Sequence, residues 1–385
     1  MDMKLELIKE IADNNINTIR MLGYAKAGNN GPYLNKDTPV RNSAHWLISY
    51  CILWELTGNS QYLEMVKVLS QYLCKKELRG MKNSIICMEG ETTDKTNGVI
   101  GQAWVVEALI YAYDVLKDEQ ILDIANKIFY SQEYNWNAHV WEVIDVDGQN
   151  LGFDRTYNHQ LWFAAAGAML YKRSHDSELS KMIIDFLDNS NQLFYTHSNG
   201  LLYHQANCRL GIQNKLKFFV RKSLAELAHI SGIRATNLNL RFLEEGYHLF
   251  DMYGFSLIYN IFPDNIIFKN PKYLRAVDYV LDSQNLERLL KPSSKDKKSD
   301  EKCKEYYFNG YAYGYNSPAF EYPYVAYVLT GTCDKKIADQ LWDTQIDLTF
   351  NEDILKFGRN NMDEETLTAR VYEYLRYVHL IEVKE

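Results

Sequence analysis

The feature that most narrows the fold is a recurring couplet of helical segments with unequal character. RNSAHWLISYCILWELTG, beginning at Arg41, is apolar nearly all round, and NSQYLEMVKVLSQYL, which follows a tight turn, is apolar on one side only. Apolar residues three and four apart mark α-helix, and the strict alternation of strands is rare in this chain. The couplet returns as GQAWVVEALIYAYDVLKD with EQILDIANKIFYSQ, and as NHQLWFAAAGAMLYKRSHD with SELSKMIIDFLDN. It returns again as VRKSLAELAHISG with IRATNLNLRFLEE, GYHLFDMYGFSLIYNIFPD with NPKYLRAVDYVLDSQ, and SPAFEYPYVAYVLTG with DKKIADQLWDTQ. A helix apolar on every side must be enclosed, whereas one with a polar side faces water. Six couplets closing on themselves make an all-α (α/α)6-like toroid, enclosed helices inside and amphipathic ones outside. An open α-solenoid is the competing arrangement. Unequal couplet lengths and long loops rich in polar and aromatic residues favour the ring. The helix over 3–22 and the last one, DEETLTARVYEYLRYVHL, can add a seventh pair.

Two stretches break the pattern. LFYTHSNGLLYHQ, residues 193–205, alternates around Ser-Asn-Gly and reads as a small β-hairpin insertion. KPSSKDKKSDEKCKE, residues 291–305, is charged and poor in apolar residues, and reads as a mobile surface loop. Neither resembles a domain linker, so residues 1–385 are expected to form one toroid domain. The net charge of −8 gives a nucleic-acid partner no electrostatic support. The six cysteines are scattered without paired spacing, which implies reduced thiols and no metal site. The start, MDMKLELIKEIADNN, lacks the apolar core of a signal peptide, and no apolar run reads as a membrane span. A cytoplasmic protein with no membrane partner is the expectation.

In such a toroid every inner helix runs the same way, so the inner N-termini converge on one mouth. GFDRTYNHQLWFAAAGAML, from Gly152, delivers a polar cluster to one of those starts. Unpaired N–H groups and the helix dipole favour negative charge there, so Asn158 beside His159 can receive a substrate carboxylate and offer a base. Equivalent positions on the other inner helices are His45, Gln102, Trp104, Tyr247, His248 and Glu321. Loops on the same side bring Glu89, Glu91, Arg155, Tyr313, Tyr315 and Asn316, and Tyr157 belongs to the polar cluster before Asn158. An aromatic content of 14%, with 29 Tyr, suits sugar rings, whose C–H faces are apolar and whose rims hydrogen-bond. The ligand these features suggest is an acidic oligosaccharide or polysaccharide.

YNHQLWFAAAGA, LRFLEEGYHLFDMYGFSLIY and YNSPAFEYP resemble segments of toroidal polysaccharide lyases of the alginate and glucuronan type. That resemblance implies β-elimination from a uronate without metal or other cofactor. In it, Asn158 and Arg241 would neutralise the carboxylate, His159 or Tyr247 would take the C5 proton, and Tyr247 would protonate the leaving O4. Two departures from the family stand out: the missing signal peptide and the longer separation of His159 from Tyr247. A glycoside hydrolase on the same barrel is an alternative, needing two flanking carboxyls such as Asp154 with Glu89 or Glu321, or Asp251. A C5 epimerase shares the lyase's first step. A non-catalytic helical-repeat binding protein is the remaining alternative, with the aromatics as contact anchors.

Overall fold

The computed structural model describes residues 3–30, 35–90, 94–208, 240–282, 284–286, 317–361 and 363–382, and residues 216, 217, 219, 220, 223, 224 and 227. Its helices are α1 (Met3–Leu22), α2 (Val40–Thr57), α3 (Ser60–Leu73), α4 (Gly98–Leu116), α5 (Glu119–Phe129), α6 (Tyr157–Ser174) and α7 (Ser177–Leu193). They continue with α8 (Leu240–Tyr259), α9 (Pro271–Leu281), α10 (Pro318–Thr330), α11 (Lys335–Thr349), the short α12 (Glu364–Ala369) and α13 (Tyr372–Glu382). α2 packs on α4, α4 on α6, α6 on α8, α8 on α10, α10 on α13, and α13 returns to α2, so these six form a closed inner ring. Outside them stand α3, α5, α7, α9 and α11, each against the inner helix before it, with α1 against α2 and α3. The fold is an (α/α)6 toroid.

Local chemistry sets each hairpin. α2, α4, α6 and α10 end on left-handed residues, Gly58, Lys117, His175 and Gly331, which stop the helix and turn the chain outward. The outer helices α3, α5, α7, α9 and α11 all start on an Asn or Asp cap: Asn59, Asp118, Asp176, Asn270 and Asp334 each accept a backbone N–H two residues on. Burial follows the expected division. On α2 every residue from Val40 to Leu53 is buried, whereas on α5 only Ile121, Leu122, Ala125, Ile128 and Phe129 are. α4 is long and apolar enough to cross a membrane by length and composition, contrary to the sequence reading, yet it is an inner helix mostly buried by its neighbours.

Two boundaries differ from expectation. The first and last helices add no seventh pair. Together they supply the sixth, α13 inside and α1 outside, with Lys4 Nζ 5.8 Å from the Trp342 ring of α11 and 5.9 Å from the Tyr374 ring of α13. IRATNLNLRFLEE does not close an outer helix, because LRFLEE continues through Gly246 into YHLF and opens inner helix α8. The remainder of that couplet lies largely outside the described residues, as does the charged stretch 291–305. The hairpin at 193–205 is present as a narrow reversal, with Thr196 bridged to Leu202 and Gly200 at φ +95° in its turn.

The long connections into the inner helices carry small antiparallel sheets. β1 (Asn29–Asn30) pairs with β2 (Asn35–Lys36) before α2. β3 (Glu133–Asn135), β4 (Val140–Ile144) and β5 (Asn150–Phe153) form a sheet before α6, and β6 (Phe350–Asn351) pairs with β7 (Lys356–Phe357) before α12.

Candidate functional site

The best-defined group lies where the connection into α6 meets the start of α4. Asn97 and Gly98 are both left-handed, at φ +57° and +60°, so the first N–H groups of α4 turn toward two carboxylates. Asp94 accepts Gly98 N at 2.6 Å, and Asp154 accepts Val99 N at 3.0 Å. Asp154 also accepts Thr156 N at 3.1 Å and meets His159 Nδ1 at 2.8 Å. Burial alone would raise its carboxyl, but the His159 ring and the two backbone N–H groups hold it below the usual carboxylate range. With Nδ1–H donated to Asp154, the His159 Nε2 lone pair is left for a ligand. The His159 side chain keeps 24% of its surface exposed.

Gly98 is what lets this pair exist. A Cβ there would lie 2.2 Å from Asp154 Oδ2 and 2.8 Å from His159 Nδ1. Gly98→Ala is expected to cost roughly 1–2 kcal/mol in backbone strain alone and to push Asp154 off His159. Denaturant unfolding together with turnover would show stability and activity falling together.

A second imidazole is tied beside the first. Tyr157 N donates to His204 O at 3.0 Å and Ala206 N to Arg155 O at 2.8 Å, so residues 204–206 run alongside 155–157. The ring of His204 sits 5.7 Å from that of Tyr247 on α8. Burial and the neighbouring His159 push His204 down to about 4, against the opposing pull of Glu244 and Asp154, so it is neutral at physiological pH. Tyr247 in turn lies edge-on to Phe250, whose ring stacks on Trp162 at 4.5 Å. Asn158 is one turn before Trp162 on the same face of α6, is 3% exposed, and its amide has no hydrogen-bond partner among the described residues.

The floor is charged and aromatic. The Arg370 guanidinium lies 5.3 Å from the Phe250 ring and reaches Glu321 at 2.5 Å and Glu373 at 2.6 Å, all nearly solvent-free. Deeper, Arg376 pairs with Glu107 and bonds Tyr253 and Tyr111. On the opposite wall His45 stacks on Tyr372 at 4.7 Å and meets Trp104 edge-on, while Arg41 lies 4.0 Å from the Trp104 ring and pairs with Asp37 at 3.1 Å. Burial, reinforced by Arg41, Arg370 and Arg376, holds His45 neutral.

The structure thus gathers Asn158, His159, Asp154 and Tyr247 near one another, with His45, Trp104 and Glu321 on the wall and floor. Other candidates stand elsewhere. Gln102 clamps Ile85 and Thr96 through their backbones. Tyr157 packs behind the wall against Phe186, Phe194 and Phe255. His248 accepts Leu202 N and faces Ala276 O on outer α9. These three are buried away from the mouth because each answers a backbone or core demand. Arg155 and Glu89 are exposed. Asp154, named as a hydrolytic acid, is held ionised by His159 and so cannot donate a proton at neutral pH. Arg241 begins α8, but its side chain, like Glu91, Tyr313, Tyr315 and Asn316, lies outside the described residues. His204 and Arg370 were missed: one sits in the hairpin segment, the other just before the last helix, and no local motif marks either.

The buried histidines carry a pH signature. Burial pushes His248 as well as His204 down to about 4. An unfolded imidazole titrates near pH 6.5, so below that the unfolded chain binds more protons and stability falls as pH drops from about 6.5 to about 4. Thermal midpoints across that window should decline, and His248→Gln, which keeps both hydrogen bonds without the charge, should flatten the decline.

No known family's sequence profile matches the chain. Among solved structures it is similar to a cellobiose 2-epimerase from Bacillus thermoamylovorans, with TM-score 0.59, 14% identity and coverage of 92% of this chain and 93% of that one. It is similar also to an unsaturated glucuronyl hydrolase from a Bacillus species, responsible for glycosaminoglycan degradation, with TM-score 0.60, 10% identity and coverage of 99% and 97%. A D-mannose isomerase matches with TM-score 0.59 at 10% identity over 98% and 97%. At these identities the likeness defines the class by fold, the α/α toroid. In sequence, the chain is 29% identical over 377 residues, 96% of each protein, to archaeal glycosylation protein Q of Haloferax volcanii.

Proposed function

We propose that this protein is a carbohydrate-active enzyme that takes a carbon-bound proton from an acidic, uronate-containing glycan, with epimerisation at that carbon as the outcome. The observation that carries the reading is the Asp154–His159 pair gathered with neutral His204 and Tyr247 at the ring's mouth. A proton beside a carboxylate is barely acidic, so its removal needs a fixed base and a way to stabilise the enolate-like intermediate. His159 Nε2 is the base, and Asp154 steadies the imidazolium that forms. The Asn158 amide, at the inner face of the α6 start, meets the substrate carboxylate, and Tyr247, resting by His204, returns a proton.

The comparisons support this reading in kind. The similar folds include sugar epimerases, an isomerase and a hydrolase of unsaturated glucuronyl units, and the full-length relative is a glycosylation protein. β-Elimination is the second reading, favoured by the lyase-like YNHQLWFAAAGA segment and by Tyr247 as a leaving-group acid. Hydrolysis fits less well. Asp154 is held by His159 and backbone N–H groups, Glu321 is bound to Arg370, Glu89 is exposed, and Asp251 is buried under the influence of the Glu244 carboxylate.

The test is incubation with uronate oligosaccharides in deuterated water. Deuterium at C5 with inverted configuration establishes epimerisation, and ultraviolet absorbance from a 4,5-unsaturated uronate establishes elimination. New reducing ends with neither signal would sink proton abstraction and return the site to hydrolysis.

A further inference from the structure

β5 leaves its sheet one residue before the Asp154–His159 pair begins. Phe153 of β5 lies opposite Glu142 of β4, so one further step of the same antiparallel register would set Asp154 opposite Trp141. That step is not taken. The side-chain amide of Gln160, a fully buried residue one turn into α6, stands there instead. Its Oε1 accepts Trp141 N at 2.8 Å, and its Nε2 donates to Trp141 O at 2.8 Å and to Asp154 O at 3.0 Å. Both amide hydrogens and the amide oxygen are used, and one donor with two acceptors around the group admits only this orientation of it. The neighbouring inner helix repeats the device. Gln102 of α4, also fully buried, accepts Ile85 N at 2.7 Å and donates to Ile85 O at 3.1 Å and to Thr96 O at 3.3 Å. In both helices the loop carbonyl that is gripped belongs to the residue six positions before the Gln.

We infer that Gln160 is a positioning residue: it replaces the missing ladder partner of Trp141, keeps Asp154 off β4, and so aims the Asp154 carboxylate at His159 Nδ1. The inference rests on His159 being the base of the proposed reaction. With the Asp154 main chain held by Gln160, Oδ1 of its side chain takes Thr156 N while Oδ2 takes Val99 N and meets His159 Nδ1. Remove the amide, and Trp141 N, Trp141 O and Asp154 O lose three hydrogen bonds in a dry place. The repair open to them is the next ladder step, Asp154 closing onto Trp141. In a continued strand the pleat, and not His159, decides where the Asp154 side chain points. The imidazole then loses the acceptor that fixes its proton on Nδ1, and the proton is shared between its two nitrogens.

The experiment is long-range proton–nitrogen NMR of the full chain carrying isotope-labelled histidine at pH 8, with the His159 signals identified as those lost in His159→Ala. In the wild type, His159 should show Nδ1 protonated and Nε2 bare. Gln160→Leu should move both nitrogens toward a shared average, and Gln160→Met, unbranched and of the same reach, repeats the measurement with less strain at β4. On the substrate identified by the deuterium assay, kcat should fall roughly ten- to a hundredfold with KM within about twofold of wild type. Gln132→Leu is the control. Gln132 grips a residue of the same strand in the same way, accepting Ile144 N at 2.9 Å and donating to Ile144 O at 3.2 Å, without touching Asp154. Its loss should lower the thermal midpoint comparably and leave the His159 nitrogens as in wild type. A wild-type His159 signature in Gln160→Leu overturns the inference, as does averaging already present in the wild type. Equal averaging in Gln132→Leu overturns it too, since the cause would then be a loosened sheet. The NMR signature needs no substrate, so a fixed tautomer without proton abstraction would defeat the proposed chemistry and leave Gln160 in its role.

Discussion

His159→Ala is expected to lower kcat about 10²- to 10⁴-fold, the range a positioned general base contributes, while the protein stays folded. The fold should survive because the His159 side chain is partly exposed and Asp154 retains its bonds to Val99 N and Thr156 N. Asp154→Asn should come close to the same loss by a different route. An amide in that place can donate to Nδ1, which favours the tautomer carrying its proton on Nε2 and removes the lone pair from the mouth. The two variants separate base from orienter, because small external imidazoles can rescue a missing ring but not a misoriented one. Steady-state kinetics with a substrate found by the deuterium assay decide the matter. Near-wild-type turnover by both variants would remove His159 from the chemistry.

Arg370→Met should cost about 3–5 kcal/mol of stability, the typical result of removing one partner from a buried ion group. Arg370 is the cation shared by Glu321 and Glu373, and each of those carboxyls also has one buried oxygen without a hydrogen-bond partner among the described residues. Burial already raises both carboxyls, with Arg370 working against it. Without Arg370 they must take up protons to stay buried. A carboxyl raised in the folded state stabilises at low pH and loses that contribution as pH rises, so the deficit should be larger at pH 8 than at pH 5. Glu321→Gln added to Arg370→Met should recover part of the loss, since it removes one uncompensated charge. Denaturant unfolding at the two pH values measures all of this, and a pH-independent deficit would point to lost packing over Phe250 instead.

The ring was legible because its physics is periodic. All-round apolarity in RNSAHWLISYCILWEL and one-sided apolarity in NSQYLEMVKVL record which helix is enclosed, and Asn59, Asp118 and Asp176 mark the turns between. The three-stranded sheet at 133–153 was not read, although VWEVIDVDGQNLGF alternates around a Gly turn, because flanking helical periodicity dominated the segment. At the site, Asn158 and His159 were legible as polar residues placed where an inner helix begins. Gln102, Tyr157 and His248 looked equivalent by position, but which side of a helix faces the axis depends on neighbours hundreds of residues away. His204 and Arg370 reach the mouth through loop pairing and a buried ion group, and neither leaves a trace in local spacing.

The sixth pair joins helices from opposite ends of the described chain, α1 outside and α13 inside. During synthesis α1 leaves the ribosome long before its ring neighbour exists, and the contact of α2 with α13 is the last that can form. Until then the growing chain is an open crescent with α2 and α10 bare along one edge. Such a nascent arc is where a chaperone would bind, and where two unfinished chains could exchange their final helices and lock into an interlinked dimer.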